Sequence, residues 1–459
     1  MASQPGRFRI QCVCDREPLE ENSPLKQKTH TLIIGAGISG CAAAHELQAK
    51  GVEYLLLEKN VEPGGLCRSI SVGEAHFDYT GHYLHLAQHK SPSEIPYANQ
   101  DDEEWQIVER KSAVYVDGDF VPAPFQYNLY ALPRDTRRRC IDGFRNRPVG
   151  RRPRSFADYL ISGFGAGICE DFLFPYCTKQ LAIGPDELSV DAVKRFFPYP
   201  DEDKIEVGYV KNKTSSNKGY NSQFWYPRNS GIGLLAKGLA KGLSNLQVNC
   251  PVQKIDLDRR HVYTSLGRIS FRRLITSIPL KSFCVMTEDR QLWSLARSLS
   301  HNRVLCINLL LKNNLPDNIK GHHWIYIADA ALPCYRVGIY SSIPTRCTPD
   351  HYTSMYVEVA YSHAATLPSL DSIIGQSLGS LEKLGWVRRQ DSLVMSANWI
   401  ECGYVHFTHS RQKVVNEILG RLKDQDAYPT GRYGKWDYLS MEDSILSGIM
   451  TAREATNGR

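Results

Sequence analysis

The stretch that decides the fold is "HTLIIGAGISGCAAAHELQAKGVEYLLLEKN", His30 to Asn60. Thr31 to Ile34 form a short apolar run of the buried-strand kind, and Gly35-Ala36-Gly37-Ile38-Ser39-Gly40 follows without a break, so strand passes into helix through glycines. Gly35 permits the tight turn, Gly37 lets the backbone approach a pyrophosphate, and Gly40 lets the new helix pack on the strand. Ile38 and Ser39 then open a helix whose unpaired N–H groups favour negative charge. The helix runs through Lys50. After Gly51, a second apolar strand, "VEYLLLE", ends in Glu58 beside Lys59, at the spacing where a carboxylate bonds an adenosine ribose. Strand, helix, strand and acid in that order read as a dinucleotide-binding unit.

The residues that follow distinguish one dinucleotide from another. "EPGGLCRS" places Gly64, Gly65, Leu66 and Arg68 directly after the acidic strand. This is similar to the second signature of FAD enzymes of the amine-oxidase-like superfamily, in which a glycine pair and a basic residue lie against the flavin diphosphate. At the far end of the chain, "GRYGKWDYLSMEDSILSGIMTA" offers a turn at Gly431-Arg432, a short aromatic strand, and Ser440 three residues before Asp443. Ser440 and Asp443 resemble a capping box, which aims a second helix N-terminus, beginning at Met441, toward the cofactor. Between these ends, "LQVNCPVQKIDLD" and "HVYTSLGRISFRRLITSIP" read as strands returning to the nucleotide fold, with Val252 where such flavoproteins contact adenine. The expected class is therefore α/β: a Rossmann-like FAD-binding domain of the two-dinucleotide-binding-domain type, with an inserted mixed α+β substrate domain. Residues 1–28 read as a polar extension, 29–90, 220–285 and 400–455 as the FAD-binding domain, and 91–219 and 286–399 as substrate-binding segments.

The inserted segment resembles UDP-galactopyranose mutase and its relatives. "EDFLFPYCTKQLAIGPDELSVDAVKRFFP", Glu170 to Pro198, carries the pattern of an aromatic, a Tyr-x-x-Lys-Gln element, an acidic step and a Lys-Arg pair. The resemblance implies that Phe172 and Tyr176, four apart on one helix face, border a uridine, and that Arg195 and, in "LPCYRVG", Arg336 bind a diphosphate through forked guanidinium donors. It implies that His82 and His85 of "FDYTGHYLHL" lie beside the flavin as proton carriers, and that Tyr438 lies near the diphosphate and sugar. Leu181 stands where the family has an active-site tryptophan, and Ser440 where bacterial mutases have an aspartate; both alter the floor of the sugar pocket.

Two activities follow from that resemblance. In the first, an isomerase interconverts pyranose and furanose forms of a nucleotide-activated sugar through a reduced-flavin N5 adduct, with no net oxidation and with NAD(P)H or another donor as external reductant. The alternative, favoured by Leu181 and Ser440, is an FAD-dependent oxidoreductase that passes hydride from a small organic substrate to the flavin.

Composition limits the rest. At 459 residues, 42% apolar and with a formal charge of +6, the chain is long enough for more than one lobe and too weakly basic for charge alone to imply nucleic acid. The arginines from Arg134 to Arg154 lack interleaved aromatics and read as a solvated loop. Thirteen scattered cysteines read as reduced thiols of a cytoplasmic protein. No apolar run reaches the roughly 20 residues of a membrane span, and no His, Cys, Asp and Glu cluster has metal spacing. The partner implied is a small molecule, a nucleotide sugar; the oligomeric state is not legible.

Overall fold

The computed structural model describes residues 27–192, 197–210, 222–312 and 315–457. Two seven-stranded sheets organise them. In the first, Gln27–Ile34 is central, lying parallel to Tyr54–Leu57 on one side and to Gly267–Thr276 on the other, with Leu32 opposite Leu55 and Leu274. Leu246–Gln247 extends the sheet beyond Tyr54–Leu57. On the other side, Val252–Asp256 and His261–Thr264 form an antiparallel ribbon whose second strand pairs with the start of Gly267–Thr276. The end of that long strand instead pairs in parallel with Ala427–Pro429. Residues 54–57 are buried along their whole length, as a parallel strand covered on both faces requires.

The helix Ile38–Ala49 covers one face of this sheet. Its small residues Cys41, Ala42, Ala43 and Ala44 are fully buried, which lets the C-terminal helix Met441–Asn457 approach closely. A β-carbon at Gly448 would lie 2.1 Å from the Ser39 carbonyl oxygen, so only glycine permits that crossing.

The second sheet runs in the order Ser392–Ile400, Asn302–Leu311, Thr353–Ser362, Arg336–Ile339, Trp324–Ile327, Ser112–Val116, Asp119–Pro122. All of its pairs are antiparallel except the one between Trp324–Ile327 and Ser112–Val116. A smaller pair joins Trp105–Glu109 to Gln223–Pro227. Among the described residues no helix is long and apolar enough to cross a membrane, and every cysteine is free and buried. Cys12 and Cys14 lie outside the described residues.

Two local readings are corrected. The arginine-rich segment is not a loop throughout, because Arg134–Arg145 is a helix. Cys140, Ile141 and Phe144 fall on one face and are buried, while acids from elsewhere meet the arginines. Arg139 pairs with Asp171 at 2.7 Å, Arg145 bonds Glu206 at 2.9 Å, and Arg147 pairs with Glu202. Helical periodicity in the three apolar residues outweighed the charge run. The aromatic stretch after Gly431 forms no strand; Gly431–Gly434 is one helical turn, and Trp436 takes a left-handed φ of 52°, a conformation outside the β region.

Candidate active site

The C-terminal ends of the central parallel strands open onto one cavity of about 980 Å³, at the upper end of the range for small-molecule sites. The first sheet supplies one wall. At its base the loop Gly35–Gly37 meets the loop Gly64–Gly65: the Gly64 N–H donates to the Ala36 carbonyl at 2.7 Å, and Gly37 and Gly64 form an isolated parallel bridge. A β-carbon at Gly37 would find only the Gly65 α-carbon, 4.0 Å away, so the space above this glycine belongs to the cavity. Gly40 is different. Its β-carbon would stand 1.9 Å from the Gly35 carbonyl oxygen, so its role is packing.

Glu58 is buried at the end of its strand, where its carboxylate accepts from the Ala36 N–H at 2.9 Å and the Asn60 N–H at 3.0 Å. It therefore braces the glycine loop as well as lining the cavity. The helix Ile38–Ala49 has no side-chain cap and no acidic residue in its first turn, which leaves its N-terminal N–H groups available to an anion. Lys59, Leu66 and Val252 line the same wall. Arg68 lines it too, with its Nε donating to the Gly65 carbonyl at 2.9 Å and its guanidinium 4.9 Å from the Tyr79 ring centroid.

The C-terminal segment closes this side. Ser440 Oγ donates to Asp443 Oδ2 at 2.8 Å, and the Asp443 N–H donates back to Ser440 Oγ at 3.1 Å; the capping residues seen in the sequence do cap the helix. Gly431, with a φ of 71°, donates its N–H to Ser447 Oγ at 3.0 Å and leaves no room for a β-carbon beside Ser39. Arg432 projects into the cavity among Tyr404, Tyr433 and Tyr438, with its guanidinium 4.8 Å from the Tyr438 centroid. It donates to the Leu439 carbonyl at 3.2 Å. Its buried Nε has no hydrogen-bond partner, and no acid among the described residues pairs with it.

His82 faces this wall, half-buried. Burial pushes its imidazole down to about 4, so the ring is neutral, and its Nδ1 has no partner among the described residues. An orphaned buried nitrogen in a polar cavity points to a ligand that completes it. His85 lies nearer the surface, its Nδ1 3.0 Å from the Gln223 carbonyl.

The second sheet and the helices beside it build the opposite wall. Phe172 and Tyr176 stack at 5.5 Å, Phe172 stacks on Phe125 at 4.8 Å, and Tyr176 meets Tyr326 edge-on at 5.2 Å. The common face is created across a wider five-residue turn, Cys169–Leu173, that runs into the helix Phe174–Leu181. Leu181 and Tyr438 lie on the same surface. Arg336 reaches the cavity from its strand, but its Nε and Nη2 are 2.7 and 2.6 Å from Glu358 Oε2. Burial raises the Glu358 carboxyl, yet the Arg336 charge and the Thr80 hydroxyl outweigh it and hold the group below its usual range. Removing one partner of such a buried pair costs about 3–5 kcal/mol. Arg195 lies outside the described residues.

The structure thus brings the other sequence-derived site residues to one cavity, except Gly40 and Gly431, which pack behind its wall against Gly35 and Ser39. It adds Thr80, Phe125, Tyr326, Trp399 and Tyr404 to the lining, and Glu358 behind it. Of these, only Glu358 had a signal in the chain: a lone carboxylate inside the apolar run "TSMYVEVAYS".

Comparison with known proteins gives a consistent picture. A family profile described as an NAD(P)-binding Rossmann-like domain matches residues 33–93. A crystal structure of reduced UDP-galactopyranose mutase is 25% identical, with a TM-score of 0.85 over 94% of this chain and 96% of that one. A protein from Exiguobacterium sp. 255-15 assigned to protoporphyrinogen oxidase is 14% identical, with a TM-score of 0.72 over 95% of this chain and all of the other (100%). A putrescine oxidase bound to putrescine is 13% identical, with a TM-score of 0.61 over 94% and 100%. In fold, the chain is similar to reduced UDP-galactopyranose mutase, and it shares that fold with the proteins assigned to protoporphyrinogen oxidase and putrescine oxidase.

Proposed function

We propose that this chain is an FAD enzyme that interconverts pyranose and furanose forms of a nucleotide-activated sugar. The observation that carries the reading is the continuity of one cavity, from the open glycine pair Gly37 and Gly65 at one end to the aromatic row Phe125, Phe172, Tyr176 and Tyr326 at the other. The first end fits FAD. A β-carbon at Gly37 would fill its cradle, the uncapped helix suits a pyrophosphate, and His82 Nδ1 and Arg432 Nε await partners. Glu58, Arg68, Ser440 and Met441 would complete that binding surface. The segments 29–90, 220–285 and 400–455 form the cofactor lobe in this reading, and 91–219 with 286–399 the substrate lobe.

When bound and reduced, FAD supplies a nucleophile for exchange at the anomeric carbon. The chain's own residues do the positioning. Phe172 and Tyr176 take the base by stacking, while Arg336 faces the diphosphate whose charge grows as it departs, a task the resemblance also gives Arg195. His82, held neutral, exchanges a proton with the cofactor edge, and the apolar walls exclude water. An external donor such as NAD(P)H primes the enzyme.

One observation favours a second reading. Arg336 is already matched by Glu358, and Leu181 gives the pocket an apolar floor, which suits an uncharged substrate oxidised by hydride transfer. The two separate when FAD-loaded protein, dithionite-reduced or oxidised, meets UDP-galactopyranose. Ring-contracted product from the reduced form alone is the expected result. Bleaching of the oxidised form by an amine or porphyrinogen, with no sugar turnover in either state, would replace the isomerase by the oxidoreductase.

A further inference from the structure

Glu358 ties the two walls of the cavity together. It lies on the central strand Thr353–Ser362, directly opposite Arg336 in an antiparallel pair, and it is completely buried. Oε2 takes the Arg336 fork. Oε1 accepts from the Thr80 hydroxyl at 2.6 Å and from the Gly81 N–H at 3.3 Å. Gly81 is pressed flat on the same strand, since a β-carbon there would stand 2.2 Å from Tyr356 Oη. The next residue is His82, which lines the cavity and whose buried Nδ1 has no partner among the described residues. One carboxylate therefore fixes the guanidinium on one wall and the histidine loop on the other, and cancels the charge of the first.

We propose that Glu358 is a positioning residue that lowers the reduction potential of the cofactor bound beside His82, by matching the charge of Arg336. The inference rests on the FAD reading above, but on neither of its two activities. An unmatched cation near a flavin favours the reduced, anionic form. A carboxylate paired to that cation removes the bias, so an electron-rich reduced cofactor is retained.

The test is the midpoint potential of FAD-loaded protein, measured by dye-coupled reductive titration, in wild type, Glu358→Gln and Glu358→Asp. Gln keeps the volume and can still accept from Thr80 and Gly81, but leaves Arg336 unmatched; its potential is expected to rise by about 30 mV, a tenfold shift in the two-electron equilibrium. Asp keeps the charge with poorer reach and should stay near wild type. A merely structural role would make Asp, the shorter residue, at least as disruptive as Gln. Equal potentials in wild type and Glu358→Gln would overturn the proposal. Should Glu358→Gln fail to accumulate, Arg336→Gln gives the opposite reading. Its carboxylate keeps the Thr80 and Gly81 donors that favour the charged form, so the potential should fall below wild type, and no fall would overturn the proposal. Wild-type protein that takes up no FAD would instead overturn the cofactor reading itself.

Discussion

Two glycines three residues apart do different work, and substitution separates them. Gly37 faces open cavity, so Gly37→Val should leave the thermal midpoint within a degree or two of wild type while abolishing FAD uptake, as read by flavin fluorescence quenching. Gly40 has no such space. Gly40→Ala forces a carbon against the Gly35 carbonyl and should cost about 1–3 kcal/mol of stability in urea unfolding, as overpacking does. The glycine spacing was fully legible in the sequence, because each of these residues answers to a local backbone demand. Arg336 was legible as a cavity residue but its charge state was not. The carboxylate that matches it is 22 residues away and meets it only through strand pairing. His82 illustrates the same limit: its place beside Gly81 can be read from the motif, whereas its low basicity comes from burial that the fold creates.

At the scale of elements, helix ends proved easier to read than the segments between them. Ser440 and Asp443 cap the C-terminal helix as their spacing implies, and Ser440→Ala should cost about 1 kcal/mol of stability. The segment before the cap was misread as a strand because its aromatics have strand propensity. Its actual path is set by Arg411, which is buried and donates from Nε to the Trp436 carbonyl at 3.0 Å, holding Trp436 in its left-handed conformation. Tyr438 stands two residues on, at the cavity. Arg411→Ala should therefore weaken UDP binding to the folded protein at least tenfold, measured by calorimetry, although Arg411 lines no part of the pocket. Unchanged affinity would show that the segment holds its path without this anchor. The helix Arg134–Arg145 teaches the complementary lesson. Nine arginines between residues 134 and 154 obscured a three-residue apolar stripe, and their neutralising acids lie in distant parts of the chain.

For the whole molecule, the first sheet follows from apolar runs such as Thr31–Ile34 and Tyr54–Leu57, but the enclosure of a single cavity by two sheets does not appear in any one segment. Burial also gives the molecule a defined pH response. His82, His301, His323 and His406 are all pushed down to about 4, so between about 4 and 6.5 the unfolded chain binds more protons than the folded one. Stability must rise with pH across that window and be lost on acidification through it. Asp78, raised by burial to about 7, works in the opposite direction, but four groups outweigh one. The thermal midpoint should accordingly fall between about pH 6.5 and pH 4; a flat profile would mean that these histidines are solvated. The account as a whole stands on the cavity above Gly37 holding a flavin dinucleotide. Equilibrium titration of the purified chain with FAD, and in parallel with NADPH, tests this directly. One tightly held FAD per chain, giving a yellow protein, is the predicted result, whereas a colourless protein that ignores FAD and binds only NADPH would contradict it.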